Sequence, residues 1–170
     1  AGQVSITAGA NCTACGAGKY AISDKIECAL CPKGRLSVTI GAKDSSACQN
    51  CSAGFYSSAK GVSEGCNACP PGKYSSETGN AGADKCKECA ANTYAEESNS
   101  TKCMPCKNGT SSEPGATFCS ACEAGKFMRN SSCSSCPAGW SSVYGQAACE
   151  ECVRGKYAVG YVASSEEATG

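Results

Sequence analysis

The sequence contains no histidine. That removes the side chain most used as a general base, as the partner of a nucleophile and as a metal-binding imidazole. Large apolar groups are nearly as scarce: Val, Ile, Leu and Phe together supply 16 of 170 residues. A chain with less than about 20% of these types ordinarily stays disordered, because apolar burial cannot offset the entropy of ordering the backbone. The hydrophobic fraction of 41% is misleading, since Ala and Cys supply most of it. No apolar run approaches the ~18 residues of a membrane span, so no membrane insertion is expected within this segment. Basic and acidic residues number 15 each and are scattered. There is no basic stripe for nucleic acid or anionic lipid, so neither is expected as a partner. A phosphate-cradling Gly loop, a nucleophile elbow and a calcium loop are likewise missing. The chain starts at Ala1 without Met or an apolar signal segment. A processed mature chain or a part of a longer one is therefore expected.

What the sequence has is cysteine, 18 in all. That exceeds the roughly 8–10% that marks a disulfide scaffold in short secreted chains. Disulfides persist in oxidising compartments, so an extracellular or cell-surface location is expected. Every cysteine belongs to a C-x-x-C pair: Cys12/Cys15, Cys28/Cys31, Cys48/Cys51, Cys66/Cys69, Cys86/Cys89, Cys103/Cys106, Cys119/Cys122, Cys133/Cys136 and Cys149/Cys152. The steps between pairs run from 14 to 20 residues. This is the self-similarity of a tandem array whose loops vary while its staples do not.

More of the repeat follows each pair. Three residues past its second cysteine stand Gly18, Gly34, Gly54, Gly72, Asn92, Gly109, Gly125, Gly139 and Gly155. Glycine and asparagine are the residues that best tolerate the left-handed region, so a tight turn with positive φ is expected there. Two residues further on stand Tyr20, Leu36, Tyr56, Tyr74, Tyr94, Ser111, Phe127, Ser141 and Tyr157, with Trp140 one place early in the eighth unit. A ring packed on a disulfide is expected as each module's miniature core, with Trp140 filling the same place. The loops between are Ser, Ala, Gly, Thr, Asn and Lys without a 3.6-residue apolar period. The fold expected is a set of small disulfide-rich repeats. They form an elongated array of short β-hairpins and loops with little or no helix. Residues 1–11 read as a strand-like segment, 12–157 as the array and 158–170 as a tail. The alternating stretches Gln3–Thr7 and Tyr157–Tyr161 read as strands with no obvious partner inside the array.

The pattern C-x-x-C-x-x-G-x-Y, as in Cys66-Asn67-Ala68-Cys69-Pro70-Pro71-Gly72-Lys73-Tyr74, resembles the ephrin-receptor-like cysteine-rich repeat. It is also similar to the first part of tumour-necrosis-factor-receptor modules. The Ser/Ala/Gly-rich spacing resembles ciliate immobilisation antigens and other protist surface-coat proteins. The resemblance runs from Cys12 to Tyr157. It implies a pairing in which the second cysteine of one pair closes onto the first of the next. That gives Cys15–Cys28, Cys31–Cys48, Cys51–Cys66, Cys69–Cys86, Cys89–Cys103, Cys106–Cys119, Cys122–Cys133 and Cys136–Cys149. A closed loop of ~15 residues stabilises by about 3 kcal/mol in the chain-entropy model, so eight staples can stand in for a core. A crossed alternative joins whole pairs two at a time and strands one pair of the nine. The sequential pairing leaves Cys12 and Cys152, 140 residues apart, as candidates for inter-chain bonds. The other readings are a segment of a longer array or two free thiols.

Zinc is the chemical rival, because successive C-x-x-C pairs at this spacing also read as a zinc ribbon. The Gly-aromatic register and the sequons weigh against it, and no metal or cofactor is expected. Thioredoxin-type chemistry uses C-x-x-C within a βαβ pattern that is missing here. Glu96/Glu97 and Glu150/Glu151 read as solvated loop charges rather than catalytic carboxylates. No catalytic residue and no enzyme activity are expected. Five N-x-S/T sequons occur, at Asn11, Asn50, Asn99, Asn108 and Asn130. Asn11 and Asn50 have a cysteine in the middle, so disulfide closure competes there. N-glycans are expected on the other three. The resulting functional expectation is a structural glycoprotein of an extracellular filament, appendage or surface coat, partnered by copies of itself. The alternative is a ligand-binding or adhesive receptor ectodomain, which calls for a surface patch of aromatics and Arg.

Overall fold

A computed structural model describes residues 3–4, 13–23, 27–129, 132–154 and 156. Among these, nine two-stranded antiparallel sheets follow one another along the chain. Eight disulfides join Cys15–Cys28, Cys31–Cys48, Cys51–Cys66, Cys69–Cys86, Cys89–Cys103, Cys106–Cys119, Cys122–Cys133 and Cys136–Cys149. These are the pairs that the receptor-like resemblance implies. Their Cα–Cα separations of 5.5 to 5.8 Å are those of ordinary bridges. We number repeats 1 to 8 by these bridges. Two short 3₁₀ turns, Ser45–Ala47 and Ala83–Lys85, are the only helical elements among the described residues.

Each repeat is built the same way. In repeat 3, Cys51 is followed by a turn at Gly54 and by the strand Phe55–Tyr56, which pairs with Asn67–Ala68 just after Cys66. The Phe55 N–H donates to the Ser52 carbonyl at 3.1 Å and closes the turn. Isolated hairpins this short are not stable in water, and the bridge at the base holds the two strands together. The expected positive φ is present at every described position of the turn series, from Gly18 (77°) to Gly139 (84°), with Asn92 at 64°.

The contacts divide the chain into two bodies. The first comprises residues 1–89 and 95–103, and the second comprises residues 90–94 and 104–170. In the first, each repeat is bonded to the next by three backbone hydrogen bonds. Between repeats 2 and 3, the Gly34 N–H donates to the Ser57 carbonyl, the Ser37 N–H to the Val62 carbonyl, and the Gly61 N–H to the Cys31 carbonyl. The same three recur between repeats 3 and 4, through Gly54–Ser75, Ser57–Asn80 and Gly79–Cys51. Gly41, Gly61, Gly79 and Asn99 form a second series of positive-φ turns, each ten residues past its repeat's second cysteine. These turns reach two repeats back: a Cβ on Gly18 would overlap the Gly61 carbonyl, one on Gly34 that of Gly79, and one on Gly54 that of Asn99. Glycine is thus required in these places twice, by φ and by space.

The second body uses the same parts with one interruption. Gly125 donates to the Ser142 carbonyl, Gly145 to the Cys122 carbonyl, and a Cβ on Gly109 would overlap the Gly145 carbonyl. Repeat 7, however, is a tight hairpin. Its strands Lys126–Arg129 and Ser132–Ser135 leave only two residues between them, so it has no room for the long loop of its neighbours.

Two expectations need correction. The rings are not the miniature cores: Tyr20, Tyr56, Tyr74, Tyr94 and Phe127 are half-buried, and Trp140 is exposed rather than filling the ring position. Among the described residues the buried side chains are eight of the half-cystines, the small residue that follows the ring position (Ala21, Ser37, Ser57, Ser75, Ala95 and Ser142), and Ala42 and Asn80. With repeats stacked this closely, a small side chain fits where a ring does not. The stretch at Gln3–Thr7 is not without a partner either: Gln3–Val4 pairs with Thr13–Ala14 between Cys12 and Cys15. The strand expected at Tyr157–Tyr161 and the tail 158–170 lie outside the described residues.

Candidate functional surfaces

Buried polar groups are the first place to look for a site. Asn80 is 4% exposed, and its Nδ2 donates to the Phe55 carbonyl (3.0 Å), the Ser75 hydroxyl (3.0 Å) and the Glu77 carbonyl (2.8 Å). Ser142 donates its hydroxyl to the Lys126 carbonyl at 2.7 Å, and Ser112 donates to the Thr93 carbonyl at 3.0 Å. The Asn80–Phe55, Ser142–Lys126 and Ser112–Thr93 bonds each join one repeat to the one before it. Among the described residues one buried side-chain polar atom lacks a partner, Asn92 Oδ1.

Charged groups are solvated. Glu96, Glu97, Glu150 and Glu151 are all exposed. Asp44 accepts a hydrogen bond from the Ser46 N–H at 2.8 Å, and its carboxyl is held below the usual range by the Ser46 hydroxyl first and by this backbone bond second. Glu123 is lowered by the hydrogen bond and charge of Lys126, whose own pKa is raised by Glu123. No group of three or more metal-ligating side chains comes together among the described residues. No helix there is long and apolar enough to cross a membrane.

The expected modification sites fall as follows. Asn99 and Asn108 are exposed, and so is Asn50. Asn99 also serves the backbone, in a left-handed turn (φ 62°) whose N–H donates to the Cys69 carbonyl at 2.9 Å. Asn108 lies in the turn before Gly109, and the hydroxyl of its sequon threonine, Thr110, donates to the Lys107 carbonyl at 2.7 Å. Asn11, Asn130 and Cys12 lie outside the described residues. Cys152 forms no bridge among the described residues and is half-buried, beside a shallow recess lined by Glu151, Val153 and Arg154. The Lys156 N–H donates to the Val153 carbonyl at 3.0 Å, the same turn bond that follows the second cysteine of each repeat.

One class of surface was not visible in composition. Val38, Ile40, Val143 and Tyr144 are 69–71% exposed, with Phe118, Val153, Trp140, Met104 and Leu30 also open to solvent. No protein-family model and no curated protein matches the chain. The tandem disulfide-bonded hairpins fit a secreted or extracellular protein.

Proposed function

We propose that the chain is a structural repeat protein of an extracellular filament, appendage or surface coat, assembling head to tail with copies of itself. The observation that supports this reading most is the ladder of backbone hydrogen bonds from repeat to repeat. It spends the buried amides, carbonyls and hydroxyls on stacking like upon like. Polar loops carrying N-glycans at Asn99, Asn108 and Asn130 keep the flanks solvated. Cys152 stands ready for a partner in another chain, with Cys12 as the complementary cysteine.

Electron microscopy of native material tests the reading. A filament or ordered coat made of this chain supports it, and dispersed single particles overturn it. Electrophoresis without reductant adds the covalent part: a ladder that collapses on reduction is expected, against one band carrying two free thiols. Intact mass of the native protein should exceed the peptide mass by at least one glycan. The exposed aromatics Phe118, Trp140 and Tyr144 favour the second reading, an adhesive or ligand-binding ectodomain. Under that reading native material is dispersed and loses its ligand when these side chains are replaced.

A further inference from the structure

The seventh residue past the second cysteine is the point where each loop leaves the hairpin. It is exposed in every repeat from 2 to 8. In repeats 3 to 7 it is Ser58, Ser76, Glu96, Glu113 and Arg129, as exposure favours. In repeats 2 and 8 it is Val38, 69% exposed, and Val143, 70% exposed. Each valine has an apolar companion in the same loop just before the positive-φ glycine: Ile40 before Gly41, and Tyr144 before Gly145, both 71% exposed. A lone exposed hydrophobic residue needs no explanation. A valine at the same place in two repeats, each with an apolar residue just before the turn glycine, and polar residues at that place in the five between, does.

The charges around the two loops are opposite. In repeat 2, Lys33, Arg35 and Lys43 are exposed, and the one carboxylate, Asp44, accepts from the Ser46 N–H. Repeat 8 carries Glu150 and Glu151 and no basic residue from Cys136 to Cys152. Gln146 holds this acidic edge beside the apolar loop: its Oε1 accepts from the Val143 N–H at 2.8 Å and its Nε2 donates to Glu150 Oε1 at 2.8 Å. Glu151 lies opposite Trp140 across the strand pair, so the ring adjoins the same edge.

We infer that repeat 2 and repeat 8 are the two complementary halves of a contact between copies of this chain. Val38 and Ile40 with their basic surround meet Trp140, Val143 and Tyr144 with Glu150 and Glu151 of the next copy. The inference rests on the self-assembly reading above and names its surfaces. Like loops would bring like charges together, so the contact is heterologous, and a heterologous contact propagates into a ring or an open filament.

Sedimentation velocity on the oxidised protein at rising concentration tests it, with bridged-cysteine mass as the control for folding. Wild type is expected to shift from monomer to larger species, and the shift should weaken in molar salt. Val38→Ser with Ile40→Ser, and separately Val143→Ser with Tyr144→Ser, should each stay monomeric. Mixing these two variants should yield capped dimers and nothing larger, because each retains one working half. Glu150→Lys with Glu151→Lys should abolish association, and adding Lys33→Glu with Arg35→Glu should restore it. Wild-type-like association in either serine variant, or no recovery in the charge swap, overturns the inference. If association then persists until Cys152→Ser removes it, the assembly reading stands and only this interface falls. A wild type that stays monomeric while native material is dispersed in the microscope overturns both.

Discussion

Gly54 in the first body and Asn92 in the second hold the same place in their repeats, with φ of 81° and 64°. Their surroundings differ. Two repeats beyond Gly54 comes a full loop, and its Asn99 carbonyl occupies the space a Cβ would need. Two repeats beyond Asn92 comes repeat 7, the tight hairpin, which has no such loop. A side chain is excluded at the first place by a distant repeat and admitted at the second by the absence of one. The repeat motif is therefore a compromise between a local demand, the left-handed turn, and a non-local one, the crossing of a loop. Gly18, Gly34 and Gly109 answer both demands. At Gly125 and Gly139 no described atom lies within 4 Å of a Cβ, and only the turn is at stake.

The largest test of the shared scaffold is removal of its staples. Full reduction should expand the chain in both bodies, because little apolar area remains to hold it; unchanged hydrogen exchange under strong reductant would contradict this. Chelator should change nothing. Next in size, Gly54→Asn should lower the unfolding free energy by about 4 kcal/mol or more, since the Asn99 backbone must move. Gly125→Asn should cost only about 1–2 kcal/mol, the left-handed term alone. Equal urea midpoints for these two variants would remove the distinction between the two demands.

Much of this was legible in the residues. The turn position was readable because Gly and Asn recur at a fixed distance from cysteine, and hairpins followed from short polar loops between staples. The second turn series was missed, although Gly41, Gly61, Gly79 and Asn99 stand at a constant ten residues from the cysteine before them. In repeats 6 and 8 the loop is a residue shorter and the phase slips to Gly115 and Gly145, which hides the series from a scan at fixed spacing. The true interior was missed for another reason. Ser37, Ser57 and Ser75 are polar, and no hydrophobic pattern marks a serine that is buried because a neighbouring repeat lies too close for anything larger. The partner of Gln3–Val4 escaped notice because two residues are too few to show a period.

Smaller effects sharpen the comparison. Asn80→Ala should cost about 1–3 kcal/mol, by stranding the acceptors that Nδ2 now satisfies around Phe55 and Ser75. Asn92→Gly should go the other way and stabilise by about 1 kcal/mol, because it removes an orphaned buried acceptor at a position that prefers glycine. A loss of stability there would mean that the asparagine is held for a bond not seen among the described residues. The smallest effect is that of pH. With no histidine, no side chain of ordinary pKa titrates between about pH 5 and 8, and urea midpoints should be flat across that range. The carboxyls of Asp44 and Glu123 are lowered in the folded chain. Their contribution is present above the unfolded value of about 4 and is lost as pH falls through the folded one. The flat profile should therefore bend on the acid side, and again in strong alkali as Lys126, raised by Glu123, loses its proton.

The reach of each loop across two repeats bears on how such a chain can change over generations. Tandem arrays gain and lose whole repeats by recombination between similar stretches, and each such event shifts which repeats lie two apart. Loss of repeat 6 or of repeat 7 alone would set the loop of repeat 8 over Asn92, where its carbonyl has no room. Such a deletion would fail unless position 92 reverted to glycine in the same lineage. Asn92 and the short repeat beyond it would thus have to change together, which writes part of the order of repeats into a single residue.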